Sequence, residues 1–466
     1  MVVAHASAAS NSTSNTDLRG WYPCSDYTFS DEGSSSEDAE CAMYNAPMCY
    51  PGICETPTSA NSNVDIFFKH PPATNGNPET APHVWLLQGG PGSSSTALEV
   101  DMVTLHSQLE GAVNVYTMDH RGTGRSTLLD PNLHKKYGDL ASFSVTTAAT
   151  DLVTFISTFT NGANTTVYGA SYDTILALAP LEVTGYVLDG IATSSGAPGD
   201  EFLYMSKRDI DFGEVGDALL SLREQDIEVK ARFEHKSLNR TLDELFQQFD
   251  KDPNATCASL ITNVAMGEVE GEAPTEDMGD YPPSYSLRLV LGSLFKHTYL
   301  RTLIPPVIYR LQRCEPEDVD VLSQFGTALG LLSSGKSQDD AFHSTVLYSL
   351  IIFSEKWETP SLFVSHLRAR YESTKMSDGG VYPMDALYCA FSKEKSAACD
   401  ELNVGNYDGD GIVYKPDQYW NKTAAIPSQA SLRLMLNRKH CPVLYLDSAE
   451  DFNTYTKQLQ TCALGS

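Results

Sequence analysis

Between Val64 and Gly190 the chain repeats one pattern, a short apolar run followed by a turn rich in glycine. The runs VDIFF, HVWLLQ, VNVYTMD, TTVYGAS and TGYVLDG each read as a buried strand. Ahead of TTVYGAS lies the stretch Val145 to Phe159, where Val145, Ala149, Leu152, Ile156 and Phe159 recur along one helical face. Strands alternating with helices bury their apolar surface as a mostly parallel sheet with helices on both faces. The expected class is therefore α/β.

The texture changes on either side of this core. Residues 1–63 are rich in Ser, Asn, Pro, Asp and Cys, carry no clear period, and read as a disordered start followed by a disulfide-stapled lead-in. Residues 64–198 form the N-terminal part of the sheet domain. From 199 to 400 the strand signal gives way to helical period, as in TLDELFQQF, YSLRLVLGSLFKHTYLRTL and DVDVLSQFGTALGLL. That stretch reads as a helical cap inserted into the sheet domain, with 401–466 as the domain's C-terminal part.

Charge and cysteines narrow the partners and the compartment. A formal charge of −28 and a pI near 4.6 repel phosphates, which argues against nucleic acid and anionic membrane. No apolar run reaches transmembrane length. Cys24, Cys41, Cys49 and Cys54 crowd the lead-in without the close paired spacing of a zinc site, so a disulfide framework is expected and no metal. Glycosylation acceptors beginning at Asn11, Asn164, Asn239, Asn254 and Asn421, and the Ala-x-Ala pattern within MVVAHASAAS, fit a secreted chain whose signal peptide is incomplete.

The chemistry is carried by turns at strand ends. In TTVYGASYD an apolar strand runs into Gly169-Ala170-Ser171-Tyr172-Asp173 and then into helix-forming residues. A sharp strand-to-helix turn lifts a serine hydroxyl clear of the sheet and aims the next amide, that of Tyr172, at a developing oxyanion. Upstream, VWLLQGGPGSS places Gly89 and Gly90 in a turn whose N–H groups can complete the oxyanion hole. A further strand ends in Asp119-His120-Arg121-Gly122-Thr123-Gly124-Arg125-Ser126.

With these motifs the chain resembles the proline iminopeptidase and tripeptidyl aminopeptidase group of α/β-hydrolases. The resemblance rests on Gln88 to Gly92, Asp119 to Ser126, Val167 to Tyr172, TGYVLDG with Asp189, and the cysteine-bearing lead-in. It is good from about Trp21 to Ser195 and loose over the cap. It implies an α/β-hydrolase core that cleaves residues from a peptide with a free N-terminus. The implied route is an acyl-enzyme on Ser171, without metal or cofactor. It also implies acidic residues near the cap that hold the substrate's amino group.

The sequence departs from that group in several places. The triad order on this fold is Ser, acid, His. CPVLYLDSAEDFNTYT resembles the strand and loop that bear the acid, which assigns Asp451. The rival placement uses ASLRLMLNRKH as the strand and leaves only Asn437 to His440 in the loop. In neither is there a histidine after Asp451 in this sequence, so no triad histidine is found. His120 is the least unfavourable substitute. Asp173 stands where the group has glycine, and a carboxylate there is expected to repel the oxyanion. The helix after it, TILALA before Pro180, is unusually short. Two readings follow, a serine aminopeptidase impaired by the loss of its C-terminal end, or a secreted binding protein that keeps the fold without the chemistry. A lipase or esterase on the same fold fits the motifs less well.

Overall fold

A computed structural model describes residues 17–29, 38–55, 62–129, 136–160, 164–177, 183–192, 202–233, 236–268, 281–297, 299–333, 342–377, 379, 381–404, 406–420, 431–435 and 444–446. The strands are β1 Leu18–Cys24, β2 Ala39–Pro47, β3 Asn63–His70, β4 His83–Leu87, β5 Asn114–Asp119, β6 Thr165–Ala170, β7 Gly185–Asp189, β8 Ser431–Met435 and β9 Leu444–Leu446. They form a 9-stranded sheet in the order β1-β2-β3-β5-β4-β6-β7-β8-β9. The run β5-β4-β6-β7-β8 is parallel, and β1, β2, β3 and β9 pair antiparallel.

Every run expected as a strand from VDIFF to TGYVLDG is one, and the helix Val145–Phe159 has the bounds its period gives. Its apolar face lies on the sheet. Phe155, which falls between the stripe positions, stacks on Phe68 at 3.7 Å and is fully buried beside Trp85. Ser144 caps the helix by accepting from the Thr147 amide. The helices of the later chain pack around a second apolar core that includes Leu242, Leu291, Ile308 and Tyr371. The helix Thr345–Glu355 bridges the two cores, with Leu347, Leu350 and Ile351 in the first and Ile352 and Phe353 in the second.

The lead-in is more ordered than its composition predicts. β1 and β2 extend the sheet, with Cys24 bonded to Cys41 across the pair and Cys49 to Cys54 just beyond. The pattern was hidden because β1 is half exposed and its register shifts between Arg19 and Tyr22, which breaks the alternation that marks a strand. Two more disulfides, Cys257–Cys314 and Cys389–Cys399, staple the helical part.

The strand beside β7 is the rival one, Ser431–Met435, and not the one taken to bear the acid. Leu444–Leu446 returns antiparallel along its outer side. The carboxyl end of β9 therefore points to the sheet edge opposite Ser171. Asn437, His440 and Asp451 lie outside the described residues.

Because Phe155 fills the joint between helix and sheet, Phe155→Ala is expected to cost about 3–5 kcal/mol of stability. Chemical denaturation of the two proteins measures it.

Candidate active site

The strand order reverses direction at β4. The chain leaves it to form β5 on one side and β6 on the other, so the carboxyl ends of β4, β5 and β6 open onto a common crevice. All three glycine-bearing motifs sit there. Ser171 follows β6 directly and adopts a left-handed backbone with φ +50°, its side chain exposed. Its amide donates to the Asp189 carbonyl at the end of β7 at 2.7 Å, and its own carbonyl accepts from the Thr174 hydroxyl at 2.6 Å. A non-glycine residue held at positive φ between a strand and a helix is strained, and such strain concentrates at functional sites. This is the sharp strand-to-helix turn that the sequence predicts, with Ser171 at its tip.

Gly89 lies against the elbow. A Cβ placed on it would stand 2.8 Å from the Ala170 carbonyl oxygen and 2.9 Å from the Ser171 Cβ, so only glycine permits the approach. Gly90, at φ +133°, turns the loop back on itself, with the Ser93 amide 2.9 Å from where a Cβ would be. Tyr172 follows Ser171 with its ring buried. The structure thus gathers Ser171, Tyr172, Gly89 and Gly90 at one sheet edge.

The third glycine of that loop answers a different need. The Gly92 carbonyl accepts from the Ser344 amide at 2.8 Å and from the Thr123 hydroxyl at 2.6 Å. A Cβ on Gly92 would meet the Ser344 carbonyl oxygen at 2.5 Å.

The turn Asp119 to Ser126 is scaffolding. The buried Asp119 carboxylate accepts from the Ser95 amide and hydroxyl, each at 2.7 Å, and from the Arg125 amide and Nε at 2.8 and 2.7 Å. Burial opposes its charge, but Arg125 overrides burial and holds the carboxyl below its usual range. Arg121, fully buried, donates from Nε to Asp151 at 2.7 Å and reaches the Met48 and Ser142 carbonyls at 2.8 and 2.7 Å. It joins the sheet, the helix Val145–Phe159 and the end of β2.

His120 is bonded to the residue two beyond Ser171. Its Nε2 meets the Asp173 Oδ2 at 2.7 Å, both groups being buried. The expected repulsion between Asp173 and an oxyanion is corrected by the same contact, since the carboxylate turns inward to His120 from the first residue of the helix Asp173–Ala177. Burial drives the Asp173 carboxyl up, while at His120 the Asp173 carboxylate outweighs burial and drives the imidazole up. The helix is described from Asp173 to Ala177. His70 and His83 pack with Tyr116. Among the described residues, no histidine is hydrogen-bonded to Ser171.

Sequence reasoning missed Glu355. This buried residue ends the helix Thr345–Glu355 and accepts from the Val145 amide at 3.0 Å and the Tyr414 hydroxyl at 2.6 Å. Burial pushes its carboxyl up to about 7. The neighbouring Lys356, lowered to about 8 by burial, donates to the Ala192 carbonyl at 3.0 Å. The Ala192 amide in turn donates to the Thr174 hydroxyl at 3.0 Å. The elbow is thus braced from the helical part of the chain. The signal available in the sequence was the charged pair Glu355-Lys356 closing the apolar run VLYSLIIFS.

These observations combine a mostly parallel sheet, an exposed serine at positive φ between strand and helix, and a glycine loop pressed against it. The chain has the α/β-hydrolase fold. No known protein family matches it by sequence profile, and no curated protein matches it. Among solved structures it is similar to an α/β-hydrolase from Novosphingobium aromaticivorans, at 16% identity over 32% of this chain and 44% of that one, with a TM-score of 0.22. A mutant epoxide hydrolase from Solanum tuberosum gives 16% identity over 41% and 52%, TM-score 0.24. An enantioselective mutant of the epoxide hydrolase from Aspergillus niger gives 13% over 65% and 64%, TM-score 0.24. The chain spans between 44% and 64% of the length of these three structures.

Two outcomes test the buried pairs. His120→Ala leaves Asp173 buried alone and is expected to cost about 3–5 kcal/mol. Adding Asp173→Gly should recover much of it in denaturant melts. Both folded-state shifts are upward, so the pair's contribution is full below about pH 4, the ordinary carboxyl value, and fades as pH rises through the elevated folded values. Glu355 has the same sign. Its folded value near 7 lies above the ordinary carboxyl value, so stability declines between pH about 4.5 and 7, and Glu355→Gln should flatten that part of the stability profile.

Proposed function

We propose that the chain is a serine hydrolase of the aminopeptidase type, in which Ser171 takes the acyl group of a peptide held by its free N-terminus. The observation that carries the reading is Ser171 itself, exposed at φ +50° with Gly89 pressed against it. The peptidase assignment within the fold rests on Gln88 to Gly92 and Asp119 to Ser126, motifs shared with the aminopeptidase group. Attack by the Ser171 oxygen on the scissile carbonyl forms the acyl-enzyme as the scissile C–N bond breaks, the hydroxyl proton passing by way of solvent to the departing amine, and water then hydrolyses the ester. The amides of Tyr172, Gly89 and Gly90 are the candidate donors to the oxyanion. The strongly acidic surface favours a cationic N-terminus over an anionic ligand. The disulfides fit an extracellular site of action.

Among the described residues no imidazole is hydrogen-bonded to Ser171, and a serine hydroxyl without one is a weak nucleophile, the triad imidazole being worth on the order of 10⁶-fold in kcat. One observation favours the second reading, a secreted binding protein. His120, which the turn after β5 brings to the same sheet edge as Ser171, is committed to Asp173.

A fluorophosphonate probe and aminoacyl- and peptidyl-coumarin substrates separate the two. Labelling that disappears in Ser171→Ala, with slow release of coumarin from substrates with a free N-terminus, is the expected result. An unlabelled wild-type protein overturns the hydrolase reading.

A further inference from the structure

The loop that abuts Ser171 is clamped by a segment far along the chain, Phe342–Ser344, which leads into the helix Thr345–Glu355. The clamp is made in both directions. The Ser344 amide donates to the Gly92 carbonyl at 2.8 Å, and the Gly124 amide and Thr123 hydroxyl donate to the Phe342 carbonyl at 3.3 and 3.1 Å. Gly92 is free of a side chain where the Ser344 carbonyl needs the space. Phe342 is held at φ +61°, a strained conformation for a large side chain, and stacks on Phe29 with ring centroids 6.0 Å apart. Strain of this kind persists where the surroundings over-determine the backbone, and here it fixes the direction of the next residue.

That residue is His343. It is exposed, its Nδ1 meets the Ser93 hydroxyl at 3.5 Å, and its Cε1 lies 3.4 Å from where a Gly92 Cβ would be. Ser93 belongs to the same tight turn as Gly90, and Gly89 touches Ser171. The clamp therefore sets an imidazole on the rim of the loop that frames the nucleophile. With Ser93 at Nδ1, Nε2 has no hydrogen-bond partner among the described residues and can serve as a single oriented hydrogen-bonding group.

We propose that His343 is a specificity-determining residue that contacts the peptide lying along the Gly89–Ser93 loop. The inference rests on the Ser171 reading, but its test does not require turnover. Binding of tri-alanine and penta-alanine, both with free amino termini, is measured by calorimetry on the full chain carrying Ser171→Ala. His343→Ala in that background is expected to weaken binding about 5- to 50-fold, the range of a lost oriented hydrogen bond. His343→Gln, which keeps a polar group there, should recover part of the loss. Phe342→Gly, which releases the strained backbone, should weaken binding in the same direction. Equal affinities with and without His343 overturn the proposal, as does the absence of peptide binding to the Ser171→Ala chain. Failure of probe labelling at Ser171, with His343-dependent binding retained, would instead overturn the hydrolase reading and leave this one standing.

Discussion

The Asp119 carboxylate, taken out of water at the end of β5, is the contact on which the site is assembled. A buried charge is tolerated only when it is fully paired, and Asp119 is paired on two sides. Ser95 binds it from the helical turn that follows the glycine loop, and Arg125 binds it from the turn's own return. Gly124 must be glycine because a Cβ there would fall 2.4 Å from an Asp119 carboxylate oxygen. One anion thus holds two loops together at a sheet edge where no strand pairing does so. Arg125 continues outward to Glu99, which also binds Lys69 and Thr28, so the lock reaches the lead-in. The clamp of Phe342–Ser344 is laid on this assembly, since its hydrogen bonds go to Gly92, Thr123 and Gly124.

The elbow has a second set of supports, built from groups whose charge is unfavourable where they sit. Asp173 stands at the start of the helix after Ser171, where an acid suits the helix terminus. Burial makes a lone carboxylate untenable there, and His120 supplies the partner. Glu355 and Lys356 are both pushed toward their neutral forms by burial. Each has polar partners on the core, namely the Val145 amide, the Tyr414 hydroxyl and the Ala192 carbonyl. A carboxylate at Asp173, directly behind Ser171, is therefore accommodated by its buried partner.

Much of this was legible in the sequence. Buried parallel strands are continuous apolar runs, so β3 to β7 announced themselves, as did the helix Val145–Phe159 by its stripe. The elbow serine and the glycine loop were legible because a serine in a tight strand-to-helix turn and a backbone approaching within contact both demand particular residues nearby. The edge strand β1 was not, since a half-exposed, irregular strand lacks the alternation that betrays it. The strand beside β7 could be read two ways, because SLRLM and VLYL carry similar apolar patterns and only pairing chooses between them.

The sequence by itself determined the fold class, the nucleophile candidate and the positions where only glycine fits, because these follow from local backbone demands and from burial periodicity. Tertiary structure alone decided what each polar residue of the motifs is for. His120 is bonded to the buried Asp173, and the last glycine of the loop serves a clamp from residues 342–344. His343 acquired its place beside Ser93 across 250 residues of chain. Such assignments depend on which charges burial forces together and on contacts between distant segments. No local pattern records either.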